Sequence, residues 1–128
     1  MLSVLIYQSS ANETFTAEQL RRLASRSSEA NASAGITGVL LFDGRRFLQV
    51  LEGPEPEVQA LFQRLLADPR HRDVQTVLHT GAPQRSFSGW SMRLLDVSIS
   101  SLLPVPEAIL DCMDQRVRAC LEAFMRPG

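Results

Sequence analysis

The apolar positions change period along the chain, and the changes mark out its elements. Leu2 to Gln8 is a largely apolar run of strand length, closed by Ser9-Ser10-Ala11-Asn12, a loop composition. Thr16-Ala17-Glu18-Gln19 fits a capping box, with a hydroxyl followed three residues later by Gln. Leu20, Leu23, Ala24, Ser27 and Asn31 then share one helical face, which predicts a helix from Thr16 to about Ala30. Two β-rich runs, Ile36 to Phe42 and Arg46 to Glu52, flank Asp43-Gly44 and read as a hairpin.

Gly53-Pro54-Glu55-Pro56 stops the second of these strands, and Pro56 suits the first turn of a helix. Val58, Leu61, Phe62, Leu65 and Leu66 form its stripe. Asp68-Pro69 ends it, because the residue before proline is pushed out of the helical conformation. A strand is expected from Asp73 to Thr80. Trp90-Ser91-Met92-Arg93-Leu94 alternates, so Trp90, Met92 and Leu94 are expected on one sheet face. Pro104 and Pro106 open a last helix whose stripe, Ile109, Leu110, Met113, Val117, Cys120, Leu121 and Phe124, has to cover something.

The order predicts an α+β fold, a ferredoxin-like βαββαβ sandwich with an added fifth strand and a C-terminal helical segment. In that arrangement the first and third strands are expected to lie parallel and adjacent at the sheet centre, with both early helices on one face. Residues 1–95 are expected to form the main domain and 96–128 a linker and helical extension. Fold alone does not settle function.

Composition removes several chemistries. The 128 residues are 45% hydrophobic and 21% charged, which describes one ordinary globular domain. A net charge of −1 argues against an electrostatically driven nucleic-acid binder. All 13 basic residues are arginine, so Schiff-base and P-loop chemistry are absent. The 2 histidines and 2 cysteines (Cys112 and Cys120) are too few and too scattered for a zinc site, and no metal is expected. The cysteines read as reduced core residues on one helix. No run approaches a membrane span and Met1-Leu2-Ser3 lacks a basic leader, which predicts a soluble, cytoplasmic protein.

The informative residues are polar ones at core positions. Strand alternation puts Gln49 with Phe47 and Leu51, and Tyr7 with Leu5, so a buried amide and a phenol share the central sheet. Asn31 lies about 20° from Leu20 on the helical wheel, and Asp68 about 20° from Leu61, with Arg64 beside it. Asn31, Arg64 and Asp68 would then line a groove between the helices, floored by Tyr7 and Gln49 and walled by Ile6, Leu23, Leu40 and Phe47. That set suits a flat heterocycle bearing carbonyls and ring N–H groups. Read singly, the residues have plainer explanations. Arg64 and Asp68 also describe a solvated pair, Asn31 a helix cap, and Tyr7 a core residue with a wet hydroxyl. His71, between Arg70 and Arg72, reads as a surface basic turn, and Glu52 offers no paired-carboxylate site.

These residues fall into motifs. Tyr7-Gln8-Ser9-Ser10-Ala11, Asn31 with Gly35-Ile36-Thr37-Gly38, Phe47 to Gly53, Asp68-Pro69-Arg70-His71, and Phe87 with Trp90-Ser91-Met92 resemble, in order, the BLUF domain, sensors of blue light using FAD. The resemblance covers residues 2 to about 95. It implies a photoreceptor rather than an enzyme, holding FAD non-covalently, with FMN as the alternative. Tyr7 would be the photo-oxidised electron and proton donor and Gln49 the switching amide. Asn31, Arg64 and Asp68 would contact the ring together with Tyr7 and Gln49, and Trp90 and Met92 would relay the signal. Ala30 departs from the pattern, since members often carry a second polar residue before the Asn. The short C-terminal segment resembles stand-alone members, which implies signalling to a separate partner protein. The helical stripe adds a homodimer or larger assembly as an expectation. Two other classes stay open on the residues alone: a ferredoxin-like flavin oxidoreductase and a flavin-free interaction module.

Overall fold

The computed structural model describes residues 2–98 and 105–126. The elements are β1 (Leu2–Ala11), α1 (Ala17–Ala34), β2 (Thr37–Phe42), β3 (Arg46–Gly53), α2 (Glu55–Leu66), β4 (His71–Ala82), β5 (Ser91–Asp96), α3 (Glu107–Cys112) and α4 (Gln115–Met125). Local chemistry explains most boundaries. Thr16 caps α1 through a complete capping box, Gln19 N–H donating to its hydroxyl at 3.1 Å and Thr16 N–H to the Gln19 side-chain Oε1 at 2.8 Å. The helix runs past Ala30 to Ala34, because the stop is Gly35 in the left-handed region at φ 71°. Ile36 N–H then bonds back to the Asn31 carbonyl at 2.9 Å, so Asn31 lies inside the last turn and is not the cap.

The Asp43-Gly44 turn forms as expected. The Asp43 carboxylate accepts from the Arg45 and Arg46 amides at 2.9 and 2.6 Å, which joins β2 to β3.

The five strands lie in the order β4-β1-β3-β2-β5. β1 and β3 are adjacent at the centre, but they run antiparallel, correcting the parallel expectation. The reason is topological: α1 returns the chain so that β2 runs with β1, and the hairpin sends β3 back between them. Among the described strands only β5 pairs in parallel, with β2.

The sheet carries a core on each face. α1 and α2 cover Leu5, Tyr7, Leu40, Phe47 and Leu51. The C-terminal helices cover the other face, where Val117, Leu121 and Phe124 pack on Val4, Ile6, Leu48 and Val50. The expected single last helix is two, broken at Met113 and restarted by Asp114, whose carboxylate accepts from Arg116 N–H at 2.8 Å. Its apolar stripe is largely spent on this sheet face. Cys112 and Cys120 are free thiols on separate helices, Cys112 exposed rather than in the core. Pro104 lies outside the described residues.

Candidate functional site

β1 and β3 set Tyr7 directly opposite Gln49. Both are buried, and the Tyr7 hydroxyl donates to the Gln49 side-chain carbonyl. The other end of the same amide donates to the Met92 sulfur at 3.4 Å. From β3, Gln49 therefore links β1, its neighbour on one side, to β5, which lies beyond β2 on the other. Burial pushes the Tyr7 phenol above its ordinary value, and the Asp68 charge adds to the shift. The ring packs against Phe62 and edge-on to His71, with centroids 5.7 and 5.9 Å away.

Met92 reaches Gln49 because of two backbone features. Gly38 on β2 has no side chain where Met92 passes; a Cβ there would sit 3.3 Å from the Met92 methyl and 1.8 Å from the Val50 carbonyl oxygen. On β5 the register jumps by one, Ser91 facing Gly38 and Arg93 facing Val39, with Met92 the extra residue at φ 148°. An added residue inverts the alternation upstream of it. So Met92 and Leu94 share the α1/α2 face, while Trp90 falls on the opposite face, correcting the expected trio. There Trp90 lies beside Phe87 at 5.8 Å between ring centroids and beneath the Arg93 guanidinium at 4.5 Å.

Above Tyr7 and Gln49 a cleft opens between α1 and α2, walled by Phe15, Leu23, Leu40, Phe47 and Leu65. An adjoining cleft shares Gln49, Ser27 and Arg70 and adds Asn31, Arg26 and Arg64. Leu23, Leu40 and Phe47 are thus walls as expected. Ile6 is not, because adjacent residues on β1 face opposite ways and it lies in the other core.

Asn31 is buried, and its side-chain Nδ2 has no hydrogen-bond partner among the described residues, an orphaned donor at the cleft. Asp68 lines the inner cleft but pairs with Arg70, not Arg64. Its carboxylate accepts from Arg70 N–H at 3.0 Å and Nε at 2.9 Å, and that bonding holds it below the usual carboxylate range. Arg64 stands exposed on the outer rim.

Two site residues escape the sequence reading. Arg70 lines both clefts, aimed by Asp68. His71 is half-buried, not a surface turn residue: its Nε2 donates to the Leu65 carbonyl at 2.6 Å and its Nδ1 meets the Ser9 hydroxyl at 2.8 Å. Pro69 turns the chain just after α2 and brings both back over the sheet. The Asp-Pro-Arg-His run was the available signal; its direction depends on that turn.

The donor set fits a flavin. An unpartnered amide donor, a guanidinium and a rotatable glutamine amide would suit the carbonyl and ring-nitrogen edge of such a heterocycle, and the apolar walls its aromatic body. Comparisons agree. A sequence model of the family described as sensors of blue-light using FAD matches residues 2–93. The blue light- and temperature-regulated antirepressor BluF of Escherichia coli K12 is 33% identical over 111 residues, 87% of this chain and 28% of that protein. A photoactivated adenylate cyclase subunit beta of Euglena gracilis is 32% identical over 110 residues, covering 85% of this chain and 13% of that protein. The chain thus spans under a third of the length of these relatives. A solved structure of BlrP1 from Klebsiella pneumoniae with FMN and cyclic diGMP superposes at a TM-score of 0.83 with 38% identity, over 98% of this chain and 34% of that one. The matched motifs, the central Tyr7–Gln49 pair and the shared fold place this chain in the BLUF family of flavin-binding blue-light sensors.

Proposed function

We propose that the chain senses blue light through FAD held between α1 and α2, with Tyr7 as electron and proton donor and Gln49 as the switch. The observation that carries this reading is the Tyr7–Gln49–Met92 chain of hydrogen bonds beneath a cleft holding an orphaned Asn31 donor. A bound flavin supplies the blue absorption and an excited state that takes up an electron.

The chain's own residues supply the rest. Burial keeps the Tyr7 phenol protonated and aimed at the Gln49 carbonyl. A phenol that gives up an electron becomes strongly acidic, and its proton leaves along that bond. Gln49 can then rotate or tautomerise, presenting a donor where an acceptor stood and releasing Met92. Electron and proton return to Tyr7, so no net oxidation remains and only the hydrogen-bond pattern differs. Asn31, Arg70 and Asp68 orient the ring edge, and Arg64 with Arg26 lies where a phosphate-bearing tail would leave the cleft. That rim favours a phosphorylated flavin, FAD with FMN as the alternative. Residues 1–95 act as the sensor, with Met92 and Trp90 passing the change to an output segment, 96–128. Output goes to a separate protein, and we take the chain as a homodimer or larger. Two free thiols accord with the reducing cytoplasm. Among the described residues no helix is long and apolar enough to cross a membrane.

The test is the visible absorption spectrum of the purified protein, in darkness and under blue light. A structured flavin band that moves slightly red and returns in darkness is the expected result. A band that bleaches would mean redox turnover, and a protein that stays colourless after FAD is added would exclude a flavin function.

A further inference from the structure

Glu52 is fully buried, yet nothing in the photochemistry uses it. It lies three residues beyond Gln49 on β3, on the opposite sheet face. Its carboxyl accepts three bonds: from the Thr37 hydroxyl at 2.8 Å, Ser86 N–H at 2.9 Å and Phe87 N–H at 2.7 Å. Arg85 closes the same corner, donating to the Thr37 hydroxyl at 2.8 Å and to the carbonyls of Glu52 and Gly35 at 3.1 and 2.8 Å. A buried carboxyl is costly unless fully satisfied, so this corner has a defined arrangement. What it arranges is the loop between β4 and β5.

That loop touches both ends of the response. Downstream, Trp90 N–H returns to the Phe87 carbonyl at 3.0 Å, and Gly38 N–H donates to the Trp90 carbonyl at 2.8 Å, two residues before Met92. On its other side the Ser86 hydroxyl accepts from Asp114 N–H at 3.2 Å, and Asp114 is the residue that caps α4. Met92 itself sits in a backbone region that side chains rarely adopt, and its sulfur accepts from Gln49. Release of that bond lets the bulge relax, and the short turn from Phe87 to Trp90 leaves little slack to absorb it.

We propose that Glu52 and Ser86 are positioning residues of the light response. The Glu52 carboxyl holds the loop as one piece, so that movement of Met92 is carried through the Phe87–Trp90 turn to the Ser86–Asp114 contact and frees the start of α4. This rests on the photosensor reading above. A second tether holds α4 independently: Arg116 donates to the Thr80 hydroxyl at 2.9 Å and the Gly81 carbonyl at 3.2 Å. The helix therefore loosens at its first turn without leaving the sheet.

The experiment is backbone hydrogen exchange over residues 113–118 of the FAD-loaded protein, in darkness and under continuous blue light, with the absorption shift recorded on the same samples. In the wild type, light is expected to speed exchange there roughly tenfold, the effect of losing one hydrogen bond on a local opening equilibrium. Among the described residues, Ser86→Ala removes only the side-chain contact to Asp114. It should keep the red shift, exchange in darkness at the wild-type lit rate, and show no further change on illumination. Glu52→Gln puts an amide donor against backbone donors and should keep the red shift while freeing residues 84–90 in darkness. A merely structural role would raise exchange in dark and light alike and preserve the difference between them. The proposal is overturned if Ser86→Ala retains that difference, or if the wild type shifts red with no exchange change at α4. Absence of any red shift in the wild type would instead remove the photosensor reading, and this relay with it.

Discussion

Gln49 donates to the Met92 sulfur at 3.4 Å while accepting from the Tyr7 hydroxyl, so one amide is shared between the phenol on β1 and the thioether on β5. An amide has two ends of opposite character, and a half-turn exchanges them. Neither contact survives that exchange unchanged, since a phenol donor would face an NH2 and a weak sulfur acceptor would face a carbonyl. The rearrangement is thereby coupled to β5 by the chemistry of one side chain.

Gln49→Leu keeps the volume and removes both contacts. The variant should fold, bind flavin and lose the light-induced red shift entirely. The unpaired Tyr7 hydroxyl should cost about 1–3 kcal/mol of stability, partly offset by the apolar side chain. Difference absorption spectra and a urea melt check both parts; a retained shift would remove Gln49 from the switch.

Tyr7 is the only tyrosine, so the tyrosinate band in the near ultraviolet reports it alone. Its folded value lies above the ordinary 10.0, mainly through burial. The unfolded chain therefore loses this proton first as pH rises. The stability tied to the neutral phenol is complete below pH 10 and drains away as pH climbs toward the folded value. A spectrophotometric titration should show no tyrosinate near pH 10 while the protein is folded, and its appearance should coincide with unfolding.

Gly38→Ala should fail on backbone grounds. The new methyl would meet the Val50 carbonyl oxygen at 1.8 Å, at a φ of 158°. Two central strands have to part, which should cost at least about 2 kcal/mol. Denaturant midpoints measure the loss, and any folded fraction should have a shifted flavin band because Met92 is displaced from Gln49.

Asn31→Ala separates binding from folding. The Nδ2 donor has no partner among the described residues, so its removal should change apoprotein stability by less than about 1 kcal/mol. FAD affinity should fall roughly tenfold, one hydrogen bond's worth. Titration of apoprotein with FAD, set beside a thermal melt, checks both numbers.

Most elements of this protein, though not the break between its last two helices, and the two most telling residues of its site were legible in the sequence, because each depends on short-range regularities. The capping box at Thr16, the Asp43-Gly44 turn and the stripe of α2 are set by neighbours within a few residues. Period-two alternation turned Gln49 inward, and the helical wheel did the same for Asn31. What failed was whatever depends on how strands meet. The antiparallel pairing of β1 and β3 follows from the path of the whole chain. A one-residue bulge opposite Gly38 sends Met92 to the amide and Trp90 to the far face, and no alternation pattern contains a register jump. Arg70 and His71 enter the cleft, and Arg64 stays on its rim, because the turn after α2 folds back over β1. Glu52 looked unremarkable for the same reason: two of its three partners, the Ser86 and Phe87 amides, lie more than thirty residues away, in a loop that only the packed sheet brings to it. Local periodicity decides which side of its own element a residue occupies; the tertiary structure alone decides what stands on the other side.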